Sequence, residues 1–169
     1  KTSPSTTSST YTVRDAFVDP LAFVGPVDNN FGGGGYHGTT FVGTVNFDAE
    51  KALTVISAFV DADGPGPRVV NLWDGADGNG NLLQSVTVNI TQTGPQRVDL
   101  NLNVPGPGTY SIGLDFADLY RNNSGANYPY TAPGLMTITG SPAGPDFYYY
   151  FYDLEVQAEG CFGDPVTVT

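Results

Sequence analysis

The sequence predicts an all-β protein: a two-sheet antiparallel β-sandwich, jelly-roll-like, with about ten strands and essentially no helix. Three observations carry this. Apolar residues recur with a period of two rather than 3.6, the spacing that places one side of a strand in a core and the other in water. The 169 residues include 22 glycines and 13 prolines, which punctuate the apolar segments at short intervals. The apolar content, 40% of residues, is enough for a packed interior, and the length favours one domain.

Taken in order, FVGTVNF (41–47) alternates Phe41, Val45 and Phe47, with Gly43 marking a bulge or a close contact. ALTVISAFV (52–60) is apolar on both faces, as in a central strand. RVVNLW (68–73) and SVTVNI (85–90) read as a hairpin closed by the turn-forming residues DGADGNGN. RVDLNLNV (97–104) sends Val98, Leu100, Leu102 and Val104 one way and Arg97, Asp99, Asn101 and Asn103 the other. After PGPG, TYSIGLDF repeats the alternation with Tyr110, Ile112, Leu114 and Phe116, and the two segments read as an antiparallel pair. LMTIT (135–139) is a further short strand.

The stretch FYYYFYDLEV (147–156) begins with six consecutive aromatic residues. Read as one strand, Tyr148, Tyr150, Tyr152, Leu154 and Val156 face the core. Phe147, Tyr149 and Phe151 share the other face with Asp153 and Glu155, whose acids belong in water. The aromatic half of that face is either covered by a neighbouring loop or chain, or open as a binding platform.

The ends divide the chain into residues 1–13, a sandwich domain over 14–160, and residues 161–169. Tyr11 and Val13 alternate in YTV, and Val166 and Val168 alternate in VTVT. Each end is either an ordinary edge strand or a strand that pairs with a neighbouring subunit or module. The N-terminal stretch is polar and does not read as a signal peptide, so a secreted protein would be a processed or excised form.

Six basic residues stand against 17 acidic ones, for a net charge of −11. This charge disfavours nucleic acid and anionic membrane surfaces as partners. No apolar run is long enough for a helix to insert in a membrane. The one cysteine, Cys161, reads as a buried small residue or an intermolecular disulfide partner.

Four stretches, VDNNFGGGGYHGTTFVGTVNFDA (27–49), NLWDGADGNGNLLQSVTVNI (71–90), LYRNNSGANYPYTAPGLMTITGS (119–141) and FYYYFYDLEVQAEGC (147–161), resemble a module of large, repetitive cell-surface and adhesin proteins exported by the type IX secretion system. In such proteins the module is flanked by immunoglobulin-like repeats. TSPSTTSSTYTV is similar to the last strand of such a repeat, and CFGDPVTVT to the segment that follows the module. The resemblance implies an extracellular or cell-surface location and a structural role, and it brings no catalytic residue.

His37, the single histidine, lies in FGGGGYHG, which reads as a glycine-rich loop without the Gly-Lys-Ser/Thr of a phosphate loop. No GxSxG elbow, Cys/His metal set or defensible carboxylate pair is present. Calcium is the one cofactor the pattern admits, through Asp61 and Asp63 in DADGPG and Asp74, Asp77 and Asn79 in DGADGNGN, although the latter stretch reads first as a hairpin turn. Tyr120, Arg121, Tyr128 and Tyr130, in a loop over 119–134, suit either a glycan or a subunit contact. Sequons place possible glycosylation at Asn89 and Asn122, with Asn122 favoured by its loop.

Two functional expectations follow. The first is a non-enzymatic structural subunit or module of a surface filament or adhesin, assembling with copies of itself or neighbouring modules head-to-tail by terminal β-strand addition. The alternative is a carbohydrate-binding module using the 119–134 loop and the Phe147/Tyr149/Phe151 face, with calcium as a stabiliser.

Overall fold

The structure, a computed structural model, describes residues 19–160 throughout, together with the backbone of four short terminal strands. Two antiparallel sheets face each other, and the expected β-sandwich is what they form. Six strands make one sheet, in the order β12 (Tyr130–Ala132), β13 (Met136–Gly140), β5 (Gly43–Ala49), β10 (Gly108–Leu114), β7 (Gly66–Asp74) and β8 (Asn81–Ile90). Seven make the other. Its centre is β6 (Leu53–Ala62), which pairs with β9 (Gly94–Val104) along its whole length on one side. On the other side β6 meets first β15 (Tyr152–Ala158) and then, at Ala62, β11 (Leu119–Asn122). β3 (Ala22–Val24) extends β15, while β4 (Gly34–His37) and β14 (Tyr148–Tyr149) flank β11. The only helical element among the described residues is a single 3-10 turn, Ala76–Gly78.

Alternation builds the core within the strands, whereas Phe41 and Phe116, read in the same alternation, lie outside β5 and β10 and are exposed. Val98, Leu100, Leu102 and Val104 of β9 and Tyr110, Ile112 and Leu114 of β10 are all buried. The expected pairing of these two segments does not occur. β9 pairs with β6, whereas β10 lies in the opposite sheet between β5 and β7. The turn at 105–107 is therefore a corner between sheets. A second corner, between β5 and β6, runs beside it: Ala49 faces Gly108 in one sheet, and Leu53 faces Val104 in the other. Inward faces alternate in the same way across a corner as across a hairpin, so periodicity alone does not separate the two. Thirteen strands exceed the expected ten because β3, β4, β11, β12 and β14 are too short to show a period.

The β7–β8 hairpin is present, and buried polar residues account for its loop. Asp77 has a positive φ of 61°, a conformation held from the sheet below. Its carboxylate accepts from Asn46 Nδ2 at 2.5 Å, and its N–H donates to Asn46 Oδ1 at 2.9 Å. Gly78 N–H donates to Ser111 Oγ, which donates to the Gly75 carbonyl. Thr44, Asn46 and Ser111 are thus buried and satisfied, as polar groups away from water must be.

The two ends of the chain lie together. β2 (Ala16–Phe17) pairs with β16 (Cys161–Phe162), and β1 (Tyr11–Val13) pairs with β17 (Val166–Val168), each as a separate antiparallel two-stranded ladder outside the two sheets.

Candidate functional site

Two regions hold most of the residues singled out by sequence: the aromatic cluster around 147–152 and the terminal ladders.

The aromatic run is not one strand. β14 ends at Tyr149, Tyr150 takes a positive φ of 60°, and β15 starts at Tyr152. The kink breaks the alternation, so both sets of side chains turn inward. Tyr148, Tyr149, Tyr150, Phe151 and Tyr152 are all buried, Tyr149 being 2% and Phe151 1% exposed. The open aromatic platform that remained one alternative is therefore absent at Tyr149 and Phe151; only Phe147 is partly accessible. The Tyr149 ring lies against Gly43 of β5, where an added Cβ would sit 2.2 Å from it, so the close contact expected at Gly43 is real. The rings of this run pack inside the sandwich, and the hydroxyls of Tyr148 and Tyr152 find internal partners. Tyr148 donates to the Phe151 carbonyl at 2.9 Å, and Tyr152 donates to Asn122 Oδ1 at 2.7 Å. Burial pushes the Tyr148, Tyr150 and Tyr152 hydroxyls well above the ordinary 10.0.

Asn122 explains how this cluster is covered. It is fully buried in β11, and its amide donates to the carbonyls of Asn29 and Phe31. That clamp holds the Phe31 ring edge-on against Tyr148 and Tyr152, at 6.1 and 6.2 Å. The favoured glycosylation at Asn122 is corrected by this burial: every polar atom of the side chain is engaged inside the fold. Asn89, on β8, is exposed.

The stretch 119–134 is likewise not one loop, since β11 and β12 lie within it. Tyr128 stacks on Tyr148 and donates to the Phe147 carbonyl at 2.7 Å. Tyr130 packs edge-on against both Tyr128 and Tyr148, and its hydroxyl accepts from Asn127 N–H. Both rings are half-buried packing groups. Arg121 lies over the Phe147 and Tyr149 rings, at 5.2 and 6.0 Å from their centres, and its Nε donates to His37 Nδ1 at 3.4 Å. One guanidinium nitrogen of Arg121 and the Tyr150 hydroxyl are buried without a partner among the described residues. His37 belongs to strand β4 rather than to a loop; burial, and then Arg121, lower its pKa from 6.5. The glycines before it let β4 lie close on β11, because a Cβ on Gly34 would sit 2.3 Å from the Arg121 carbonyl oxygen.

Tyr120 packs edge-on with Tyr36, which sequence reasoning missed. Tyr36 is 44% exposed and donates to Asp61 Oδ1 at 3.0 Å, while Asn29 donates to Asp61 Oδ2 at 2.7 Å. The acids considered for calcium are not brought together. Asp61 and Asp63 precede β7 and Asp74 ends it, so a nine-residue strand separates the two groups. Asp77 is engaged by Asn46, Asp74 accepts from Asn81 Nδ2 at 3.4 Å, and Asn79 N–H closes the 3-10 turn. Among the described residues no three His, Cys, Asp or Glu side chains converge as a metal site requires.

A polar network also escaped sequence reasoning. Arg97 of β9 pairs with Asp153 and donates to Ser57 Oγ at 2.9 Å; Ser57 donates to Glu155 at 2.6 Å; and Arg97 lies over the Phe23 ring at 5.7 Å. The acids of the 147–156 stretch therefore tie β9, β6, β15 and β3 together. Two surface depressions, of about 240 and about 300 Å³, lie against Leu21 and Leu135 and between β8 and β9, away from the aromatic cluster.

The terminal ladders have a definite register. Leu154 faces Val24 and Val156 faces Ala22 in β15–β3. Cys161 faces Phe17 and Phe162 faces Ala16 in the same register. From there to Val13↔Val166 the N-terminal side moves three residues and the C-terminal side four, a one-residue shift. Of the expected assembly residues, Tyr11 faces Val168 and Val13 faces Val166. Their side chains, that of Cys161, and residues 1–10 fall outside the described residues.

No family model, curated protein or solved structure matches the chain.

Proposed function

We propose that the chain is a non-enzymatic structural subunit or module of an extracellular filament or surface adhesin, joined to copies of itself or to neighbouring modules through its terminal strands. The observation that carries this reading is the position of the ends. Both leave the sandwich at one place, and among the described residues their strands pair with each other, outside the two sheets. A two-stranded ladder of three-residue strands adds little to the stability of a domain. It does offer main-chain edges to another chain, a joint that needs no special side-chain chemistry. The resemblance to cell-surface modules and the interior use of the aromatic residues support the same reading. The test is light scattering and electron microscopy of the intact chain beside chains lacking residues 162–169 or 1–10. Regular filaments from the intact chain alone are expected; filaments that survive both deletions contradict the proposal.

Carbohydrate binding is the second reading, now centred on Tyr36. Its exposed ring, with Asp61 and Asn29 beside it, sets an aromatic surface next to polyol-binding groups. Tyr36→Ala would abolish glycan binding without disturbing the core, whereas Tyr128→Ala or Tyr130→Ala would also damage packing. A negative result across a broad glycan array removes this reading.

A further inference from the structure

We infer that copies are joined by exchange of the outermost ladder: β17 of one chain pairs with β1 of the next in the register it holds with its own β1. This rests on the structural reading above and specifies its joint.

Three features of the ends support it. The β15–β3 register runs unchanged into β16–β2, which ties the inner ladder to the sandwich. Both ladders stand outside the two sheets, but the one-residue shift sets β1–β17 apart from β16–β2, which keeps the register of the sandwich. The break thus falls outside β16, so β17 can change partner while β16 keeps its place. The intervening sequence favours such a break: it is Gly163-Asp164-Pro165, where proline supplies no N–H to a ladder and glycine tolerates many backbone conformations. Finally, the complement of β17 is β1 by the observed register, and an identical copy carries the same β1. Every ladder hydrogen bond lost within the chain is regained between chains, so exchange is nearly neutral in contacts. A chain that gives its β17 to one neighbour and receives another's beside its own β1 continues without closing.

The net charge of −11 opposes the approach of two copies. A main-chain joint has no charge complement to overcome this, so assembly should strengthen as salt rises toward and above 0.1 M, roughly the range where the screening length falls to about 10 Å.

The experiment uses the full chain with Cys161→Ser. Thr12 and Thr167 are opposed in the ladder, at a separation a disulfide spans in antiparallel pairs. One preparation carries Thr12→Cys and a second carries Thr167→Cys; they are mixed under assembly conditions, oxidised and separated on a non-reducing gel. Exchange predicts linked pairs with one chain of each kind, and a series of linked multimers from the double variant. Val13→Cys with Val166→Cys repeats the measurement one position along, so a local misfit at one pair does not decide the result. Exchange is overturned if both double variants close only within their own chain, or form no disulfide, while the Cys161→Ser chain still assembles. In that case the structural reading survives with another joint. If the chain does not assemble at all, exchange fails and so does the joining of identical copies, which leaves only the neighbouring-module form of the structural reading.

Discussion

The aromatic run at 147–152 and the terminal strands share strand-period alternation, but the fold uses them in opposite ways. The first is the most conspicuous stretch of the chain, and all of it from Tyr148 to Tyr152 is interior. The second is mostly small polar and aliphatic, with Tyr11, Phe17 and Phe162 as its aromatic residues, and its ladders stand outside both sheets. Density of aromatic side chains reports how much a segment has to bury. Availability for a partner depends instead on which main-chain edges the topology leaves unpaired.

The comparison breaks most readily at the aromatic cluster. Tyr148→Ala removes a fully buried ring stacked on Tyr128 and Tyr152 and should cost about 3–5 kcal/mol in urea unfolding. A loss below about 1 kcal/mol would mean the cluster is not core. Asn122→Ala frees the Asn29 and Phe31 carbonyls and the Tyr152 hydroxyl and should cost roughly 1–3 kcal/mol, with faster amide exchange over residues 25–33. Gly43→Ala drives a methyl into the Tyr149 ring and should cost about 1–3 kcal/mol. Unchanged stability there would show that β5 and β14 are less closely packed than described.

The smallest effect concerns pH. His37 binds its proton less readily in the folded chain than in the unfolded one, because burial and the Arg121 guanidinium disfavour the imidazolium. Its contribution is therefore complete above 6.5 and declines as pH falls toward the lowered value. The window below 6.5 is therefore the one in which the imidazole acts on stability. A His37→Asn chain should show a flatter pH profile across that window; an unchanged profile would place the acid sensitivity elsewhere.

Much of the fold was legible because β6, β8 and β9 are long enough to show their period. The pairing of β9 with β10 was misread because a corner between sheets preserves the same alternation as a hairpin. The aromatic run was misread for a different reason. A positive φ at Tyr150 breaks the alternation so that rings of both sets turn inward, and tyrosine in a row of tyrosines carries no sign of it. Asn122 sat in a sequon and a Gly/Asn-rich segment, both of which suggest a surface loop, yet its amide holds the residue 29–31 backbone. The role of Asn46 and Ser111 under the β7–β8 loop was likewise invisible, since the partner backbone lies over thirty residues away in sequence. Tyr36 carried a weak signal, being the one aromatic in a run of glycines.

In the proposed function the ends join chains while the aromatic cluster holds each chain together. The most direct measurement takes the intact chain and one lacking residues 162–169 and records near-ultraviolet circular dichroism and light scattering on the same samples. The account predicts an unchanged aromatic spectrum in both, with high-mass scattering from the intact chain and monomer scattering from the truncated one. Equal high-mass scattering from both, with the spectrum intact, would contradict it.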